Sequence, residues 1–305
     1  MSFSGTRSVR ADVLQKLCAC STLPTLSSVA LEVLRISRDD RLDFGQLAAV
    51  IGRDPALAAK VVSAANSALF AVRQEIRTIR HALAVLGVDV VRTLVLTFSL
   101  VNELKEEQDG PLASCWTRAV YSSVSARCLC EVRHKGLREE AFVAGLLQDI
   151  GIMALARAFG PEYQVLCSLT NMTHEELSSA ERESFGSDHA EIGAWLLERW
   201  ALPARIVDYV RSSHLVHPTD GWDEPSFYVA KCVQYSGRLA DIWISQEPVL
   251  GLAVSEAALL FGDDAVDLQS LGTRILTELK SVAPLFHISI SEEDLERWVG
   301  GLVSN

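Results

Sequence analysis

The sequence has 305 residues, and 49% of them are hydrophobic, which is enough to bury a large core in one or two domains. Its formal net charge of -11 weighs against binding to DNA or to an anionic membrane surface, because both attract positive charge. Residues 1–17 lack the apolar segment of a signal peptide. The most apolar window, residues 83–101, contains Asp89 and Arg92, as expected of a buried helix. We therefore expect a cytoplasmic protein that does not span a membrane.

Helical signals follow one another along the first hundred residues, and no alternating strand pattern interrupts them. Asp54-Pro55 pairs a capping carboxylate with proline at the first helical position, which predicts a helix over residues 55–70. Asn66 lies late in that helix, where asparagine is a poor helix former, so we expect it to have a structural role. A long apolar helix is predicted over residues 88–104.

A second series of helices is predicted after the charged segment 105–111, which ends in Gly-Pro and is the best candidate for a boundary. The first of them should run to about residue 133. The next begins near Glu139 and contains the phrase AGLLQDIG, residues 144–151, in which Asp149 interrupts an apolar run. Further helices are predicted over residues 189–200, 227–245, 254–261 and 268–283. The scarcity of strand signals predicts an all-α fold.

Several phrases of the sequence together resemble a known family. The first half contains RDPALAAKVVSAANSALF, residues 53–70, and IRTIRHALAVLG, residues 76–87. The second half contains AFVAGLLQDIG, residues 141–151, and ESFGSDHAEIGAWLLERWALP, residues 183–203. At this spacing, the phrases resemble the HDOD family, the HD-related output domains of bacterial signalling proteins, over about residues 20–240.

The resemblance implies a multi-helix bundle with an HD-like helical core. It also implies kinship with HD and HD-GYP phosphohydrolases, in which His and Asp side chains hold metal ions and a metal-bound water attacks a phosphoester. On this basis we expect an N-terminal helical subdomain over residues 12–107 and an HD-like subdomain over residues 111–245. Residues 246–305 would form a C-terminal helical extension.

The first metal-ligand positions of those enzymes are depleted here. Their name-giving His-Asp pair corresponds to Gln148-Asp149, and a histidine of the preceding helix corresponds to Ala119. A glutamine amide oxygen is a weak neutral donor, and alanine offers no donor at all. The resemblance therefore leaves only Asp149 as a strong ligand among these three positions.

The later ligand positions are partly retained. The histidine of the DHAE phrase is present as His189, and a His-His pair that often ends the following helix is Ser213-His214 here. A late aspartate of the enzymes falls near Gly237, and Asp241 lies one turn further on. Two or three imidazoles and one carboxylate are thus lost, so a dinuclear hydrolytic centre is not expected.

Three candidate metal ligands remain, namely Asp149, His189 and His214, which could still hold a single divalent ion. Arg118 and Trp116, in the helix before the motif, are candidates to line the pocket. A purely structural role stays open for the same residues. Asp149 could simply bond to Arg118 or His189 within the bundle, because a buried carboxylate needs a partner.

These considerations predict a non-catalytic regulatory module of bacterial signal transduction that acts through contacts with a protein partner, with homodimerisation as a further option. No cofactor is required by this hypothesis. One alternative is a residual metal-dependent phosphohydrolase that acts on a nucleotide or cyclic dinucleotide. Another is a nucleotide sensor without hydrolysis, in which Arg118, Arg127 and Arg133 of one long helix would bind the anionic ligand.

Overall fold

The structure is a computed structural model that describes residues 9–37, 43–67, 70, 72–104, 113–169, 174–214, 222–245, 261, 267–286, 288 and 290. All regular secondary structure in these residues is helical. This confirms the predicted all-α fold, and the helices share one continuous apolar core.

Six helices precede the charged segment, and one of them begins at the predicted Asp54-Pro55 cap. They are α1 Ala11–Ala19, α2 Ser28–Ile36, α3 Phe44–Ile51, α4 Pro55–Ala65, α5 Ile79–Leu86 and α6 Val88–Leu104. The Asp54 carboxylate accepts a hydrogen bond from the Leu57 amide at 3.0 Å, as its capping role predicts. The N-terminal half is therefore built from short helices with local start signals.

Helix α4 ends at Ala65, and its predicted extension to residue 70 is wrong. The reason is Asn66, whose side chain bonds to a distant stretch of backbone. Its Nδ2 donates to the Ile76 carbonyl and its Oδ1 accepts from the Ile76 amide, each at 2.7 Å. The structural role expected of Asn66 is thereby confirmed.

The remaining helices form the half of the molecule that contains the candidate site. They are α7 Ala113–Arg133, α8 Arg138–Leu147, α9 Ile150–Phe159, α10 Pro161–Leu169, α11 His174–Phe185, α12 His189–Arg199, α13 Ala204–Arg211, α14 Glu224–Ser245 and α15 Leu268–Val282. Short 3-10 helices lie at Lys135–Leu137 and Ala283–Phe286. Helix α7 is central because α8 and α14 both pack along it.

The phrase AGLLQDIG was expected to lie within one helix, but the structure divides it between two. Helix α8 ends at Leu147 and α9 begins at Ile150, so Gln148 and Asp149 occupy the junction. The stretch Lys135–Phe159 is long and apolar enough to span a membrane by length and composition alone, yet 83% of its apolar window is buried in the bundle. Such burial is typical of a core element.

A close backbone contact joins the start of α9 to the start of α12. A Cβ atom added to Gly151 would lie 2.0 Å from the His189 carbonyl oxygen and 2.7 Å from the Gly193 amide nitrogen. Only glycine fits such an approach. The contact brings Asp149, two residues before Gly151, next to the first turn of α12.

The described part of the C-terminal segment packs on α7 and reaches the N-terminal half. The Trp116 indole donates to the Phe286 carbonyl at 3.1 Å, and the Phe286 ring lies 5.7 Å from the Phe98 ring between centroids. The linker predicted at 105–111 lies outside the described residues, and so does the helix predicted at 254–261 except for Phe261, which is helical. The predicted domain bounds stay predictions.

Candidate metal centre

Four side chains from separate segments bring a ligand atom each to one place. They are Asp149 at the α8–α9 junction, His174 and His189 at the first positions of α11 and α12, and His214 just after α13. All four ligand atoms lie within 4.8 Å of one another. The first three residues are buried and His214 is half-buried. Three histidines and one carboxylate form a typical ligand set for a divalent transition metal.

The distances within the cluster suit one metal ion. His174 Nε2 lies 2.8 Å from Asp149 Oδ1, and His189 Nε2 lies 2.7 Å from His214 Nε2. His189 Nε2 lies 3.9 Å from Asp149 Oδ1. Ligands bound about 2.1 Å from a tetrahedral ion are about 3.4 Å apart, so the observed separations lie on both sides of the required value. Small side-chain movements would complete a mononuclear site.

Glu181 fixes the orientation of His189. Its Oε2 lies 2.6 Å from His189 Nδ1 and accepts a hydrogen bond from the His189 amide at 2.8 Å, while Tyr163 donates to its other oxygen. Glu181 and His189 are fully buried. Because a ligand histidine usually bonds to a carboxylate through its other ring nitrogen, this arrangement presents Nε2 to the cluster as a metal ligand.

The charge states of the cluster also suit a cation. Burial lowers the pKa of His174, and Arg118 adds to the effect. Burial also holds the pKa of His214 well below its ordinary value, with a further contribution from His189. Burial alone would raise the pKa of Asp149, but Arg118 and His174 outweigh it and hold the pKa well below the usual range. Neutral imidazoles beside an ionised carboxylate are what a divalent metal requires.

His189 differs from the other two histidines. Burial by itself would lower its pKa, but the Glu181 carboxylate outweighs that effect and raises the pKa. A metal ion at Nε2 would compete with the proton that this raised pKa favours. Ion binding is therefore expected to release a proton from the His189–Glu181 pair.

Arg118 is the immediate neighbour of the cluster. Its Nη1 donates to Asp149 Oδ2, the carboxylate oxygen that does not face His174, and its Nε donates to Asp241 Oδ1 at 2.7 Å. The expectation that Asp149 bonds to Arg118 is therefore confirmed. The guanidinium links the α8–α9 junction to α14 from the central helix α7.

The positions at which the enzymes have other ligands contribute nothing to the cluster. Ala119 lines a cavity of about 20 Å³ together with Trp116 and Asp149. The cavity is otherwise apolar and has about the volume of one water molecule. Gln148 donates through Nε2 to the Gly145 carbonyl at 3.1 Å. Ser213 donates to the carbonyl oxygen of Val210 at 2.8 Å.

The structure brings together all three ligands that the sequence indicated, and it adds His174, which the sequence analysis missed. His174 follows a segment outside the described residues and belongs to no phrase of the family pattern quoted above. The histidine is followed by Glu175 and Glu176, and this polar neighbourhood does not distinguish it from an exposed residue. The distance along the chain to Asp149 gave no indication that the two meet.

The arginine cluster expected for an anionic ligand is not formed. Arg127 pairs with Glu139 and Glu278, and Arg133 pairs with Glu224. Only Arg118 reaches the candidate centre. The three arginines lie along a helix of 21 residues, so they are spread along its length rather than gathered at one end.

A family model of the HDOD domain matches residues 23–216, about two thirds of the chain. The chain belongs to the HDOD domain family. An uncharacterised protein of Treponema pallidum (strain Nichols) is 26% identical over 196 residues, which make up 63% of this chain and 37% of that protein. The chain thus matches well under half of that relative's length.

Solved structures share the HDOD fold. A protein from Shewanella amazonensis SB2B, provisionally described as a phosphohydrolase, superimposes with a TM-score of 0.65 at 23% identity and covers 96% of this chain and 98% of its own. An HDOD domain protein of unknown function from Geobacter sulfurreducens also gives 0.65, at 22% identity over 94% of this chain and 96% of its own. A Marinobacter aquaeolei VT8 protein, provisionally described as a signal transduction protein, gives 0.55 at 22% identity, over 96% of this chain and 65% of its own.

Proposed function

We propose that this HDOD chain is a non-catalytic regulatory module of bacterial signal transduction that binds one divalent metal ion and acts through contacts with a protein partner. It would work in the cytoplasm, without DNA or membrane binding. The observation that carries the proposal is the convergence of Asp149, His174, His189 and His214 on one point. The family supports the signalling role, and so does the similar Marinobacter protein that is provisionally described as a signal transduction protein.

The donor set supports a structural ion rather than a catalytic one. Structural zinc-type sites have four protein ligands, whereas catalytic sites keep a position open for water. The second oxygen of Asp149 is engaged by Arg118 and is not directed at the cluster. Ala119 and Ser213 offer no imidazole at positions where the related enzymes have one. Among the described residues, these positions therefore supply no imidazole for a second, hydrolytic ion.

The space beside the site also favours a non-catalytic role. The cavity next to Asp149 has about the volume of one water molecule. Its lining is apolar apart from Asp149, and it includes Leu100 and Met153. Apart from Asp149, this cavity offers a phosphate or a nucleotide no polar partner.

A bound ion would connect parts of the chain that are distant in sequence. The four ligands come from the α8–α9 junction, α11, α12 and the segment after α13. An ion that holds them together stabilises this arrangement over any other, by an amount that depends on its concentration. We propose that metal occupancy thereby controls the surface that a partner recognises.

The first experiment measures metal content and turnover together. The full chain is purified without added metal, loaded with Zn²⁺, Mn²⁺ or Fe²⁺, and analysed by mass spectrometry for metal. We expect one ion per chain, and no hydrolysis of cyclic dinucleotides or of bis(p-nitrophenyl) phosphate. The variant His189→Ala should lose the ion, and the matched control His81→Ala, in α5 and outside the cluster, should keep it. Turnover that persists in His81→Ala and disappears in His189→Ala would overturn the non-catalytic assignment.

A second experiment concerns the partner. Wild-type protein, His81→Ala and His189→Ala are used as baits in a lysate of the source bacterium, with and without a chelator. We expect a partner that the metal-loaded wild type and the control retain and that His189→Ala loses. If His189→Ala retains the same partner, with its fold verified by circular dichroism, partner binding does not depend on the metal centre.

A phosphohydrolase remains the alternative, because the His/Asp cluster resembles the metal sites of the enzymes and the Shewanella relative is provisionally described as one. The four cluster residues would then be ligands, and water bound at the ion would be the nucleophile. The turnover assay described above decides between the two. The nucleotide sensor has less support, because Arg127 and Arg133 pair with glutamates away from the centre.

A further inference from the structure

Arg118 lies between two carboxylates from different parts of the chain. It bonds to Asp149 through Nη1 and to Asp241 through Nε, and its Nη2 lies 3.5 Å from the second oxygen of Asp241. The side chains of Arg118 and Asp149 are 5% and 3% exposed, and that of Asp241 is 20% exposed. Two carboxylates so far removed from water need a cation between them, and here the cation is a guanidinium.

A third oxygen lies beside the same guanidinium. A Cβ atom added to Gly237 would be 2.8 Å from Arg118 Nη2 and 3.1 Å from Gln148 Oε1, so both atoms lie against one point of α14. Gln148 is fully buried, and its Oε1 has no hydrogen-bond partner in the described part of the chain. A buried acceptor without a donor is rare in folded proteins and calls for an explanation.

The oxygens around Arg118 differ in kind from the ligands of the metal centre. Two carboxylates and one amide form an all-oxygen set, which suits hard cations such as Mg²⁺ and Mn²⁺. The neighbouring centre is dominated by imidazole and suits softer transition metals. Asp149 belongs to both sets, with Oδ1 toward His174 and Oδ2 toward Arg118.

We infer that Arg118 fills a second, oxygen-lined cation site next to the metal centre, and that its guanidinium limits the centre to one ion. The oxygens of Asp149, Asp241 and Gln148 would receive a hard divalent cation if the guanidinium were removed. The inference depends on the proposed function only for the first ion, because the second site uses the other oxygen of Asp149, Oδ2, and none of the three histidines. Arg118 is thus a positioning residue that sets the metal stoichiometry.

A purely structural salt bridge makes a different prediction. If Arg118 only neutralised the two carboxylates, its removal would destabilise the fold and add no affinity for metal. If it fills a cation site, its removal should create metal affinity where the wild type has none. The increase in bound metal between variant and parent is therefore the quantity to measure.

The experiment compares the full-length wild type with Arg118→Ala, Arg118→Lys and the double variant Arg118→Ala/Asp241→Asn. Each protein is stripped with a chelator and dialysed against Mn²⁺, and bound metal per chain is counted by mass spectrometry. We expect Arg118→Ala to bind one ion more than the wild type. Arg118→Lys keeps a positive charge and should bind no more than the wild type. The double variant should lose the additional ion.

Thermal unfolding provides a second readout. Mn²⁺ at about a hundred times its dissociation constant should raise the Tm of Arg118→Ala by about 5 °C more than it raises that of Arg118→Lys. If Arg118→Ala does not fold in chelator, it should refold as Mn²⁺ is added. A folded Arg118→Ala without an additional ion, an additional ion that survives in the double variant, or a variant that stays unfolded at saturating Mn²⁺ would each overturn the inference. A wild type without metal would contradict the proposed function alone, and Arg118→Ala would still be expected to gain one ion.

Discussion

The two halves of the molecule differ in what they bury. Among the described side chains before residue 101, the buried ones are apolar except for three hydroxyl residues, Thr93, Thr97 and Ser99. In the described part of residues 113–245, by contrast, five charged side chains are buried, namely Arg118, Arg127, Asp149, Glu181 and Asp188. Apolar burial stabilises a fold directly, whereas buried charges must be paired and contribute little net stability. The N-terminal half is thus a scaffold. The second half buries charged side chains that add little stability but that a binding site can use.

The strongest test of this difference is Asp149→Ala. It leaves Arg118 with Asp241 alone and removes the acceptor of His174, and breaking a buried ion pair costs about 3–5 kcal/mol. Metal binding should be lost as well. Urea unfolding in the presence of a chelator measures the first effect, and metal content measures the second.

The matched control lies in the scaffold. Leu47 is fully buried in α3, and Leu47→Ala should cost about 2–5 kcal/mol through the cavity that it creates. It should leave the metal content unchanged. If Asp149→Ala unfolds at the same urea concentration as the wild type, the buried charges are not coupled to stability as described.

Gly151→Ala addresses the helix contact that brings the ligands together. The new methyl group would overlap the His189 carbonyl, so α9 and α12 must separate, at a cost of about 1–3 kcal/mol and with weaker metal binding. Gly136 has no atom within 4 Å of its Cβ position, and Gly136→Ala should change stability by less than about 0.5 kcal/mol. Equal metal affinity in the two variants would contradict the role of the contact. Titration with a chromogenic chelator measures the metal affinity of each variant.

Local signals in the sequence predicted the scaffold well. The cap at Asp54 and the proline at the start of α4 act within one turn of helix, so the neighbouring residues alone determine them. The end of α4 was wrong because Asn66 bonds to Ile76, ten residues away. Sequence patterns therefore reveal interactions within one helical turn, but they do not reveal bonds between residues that are further apart along the chain.

The candidate site was only partly predictable. Asp149, His189 and His214 were found because they stand in phrases that resemble the HDOD family. His174 was missed because its role depends on where α11 begins in space. The pairing of Arg118 with both Asp149 and Asp241 likewise depends on how α7, α9 and α14 pack, which no spacing in the sequence specifies.

Glu181→Gln tests whether one buried charge of the second half contributes to metal binding through His189. The amide keeps nearly the same shape and loses the negative charge beside His189 Nδ1, so the histidine becomes a weaker ligand. Replacing such a partner lowers metal affinity about 10–100-fold, which competition with a chelator measures. Glu162→Gln, which removes only an exposed ion pair with Lys16, should leave the affinity unchanged. A loss of the same size in both variants would point to a general charge effect.

The smallest effect is expected in the scaffold. Asp54→Ala removes the cap of α4 and should cost about 1 kcal/mol in urea unfolding, with metal affinity unchanged. Asp54→Ser keeps a capping oxygen and should behave almost like the wild type. A change in metal affinity on loss of this cap would show that the two halves are more tightly coupled than their different interiors suggest.

The rings of Trp116 and Phe286 connect the extreme C-terminal part of the described chain to the rest. Trp116 lines the small cavity beside Asp149, and its indole nitrogen donates a hydrogen bond to the Phe286 carbonyl. The Phe286 ring also stacks on Phe98 of α6. Anything that lifts residues 283–286 would free the indole and loosen one side of that cavity. Residues 283–286 therefore connect the described C-terminal segment both to helix α6 and to the wall of the cavity beside the candidate metal centre.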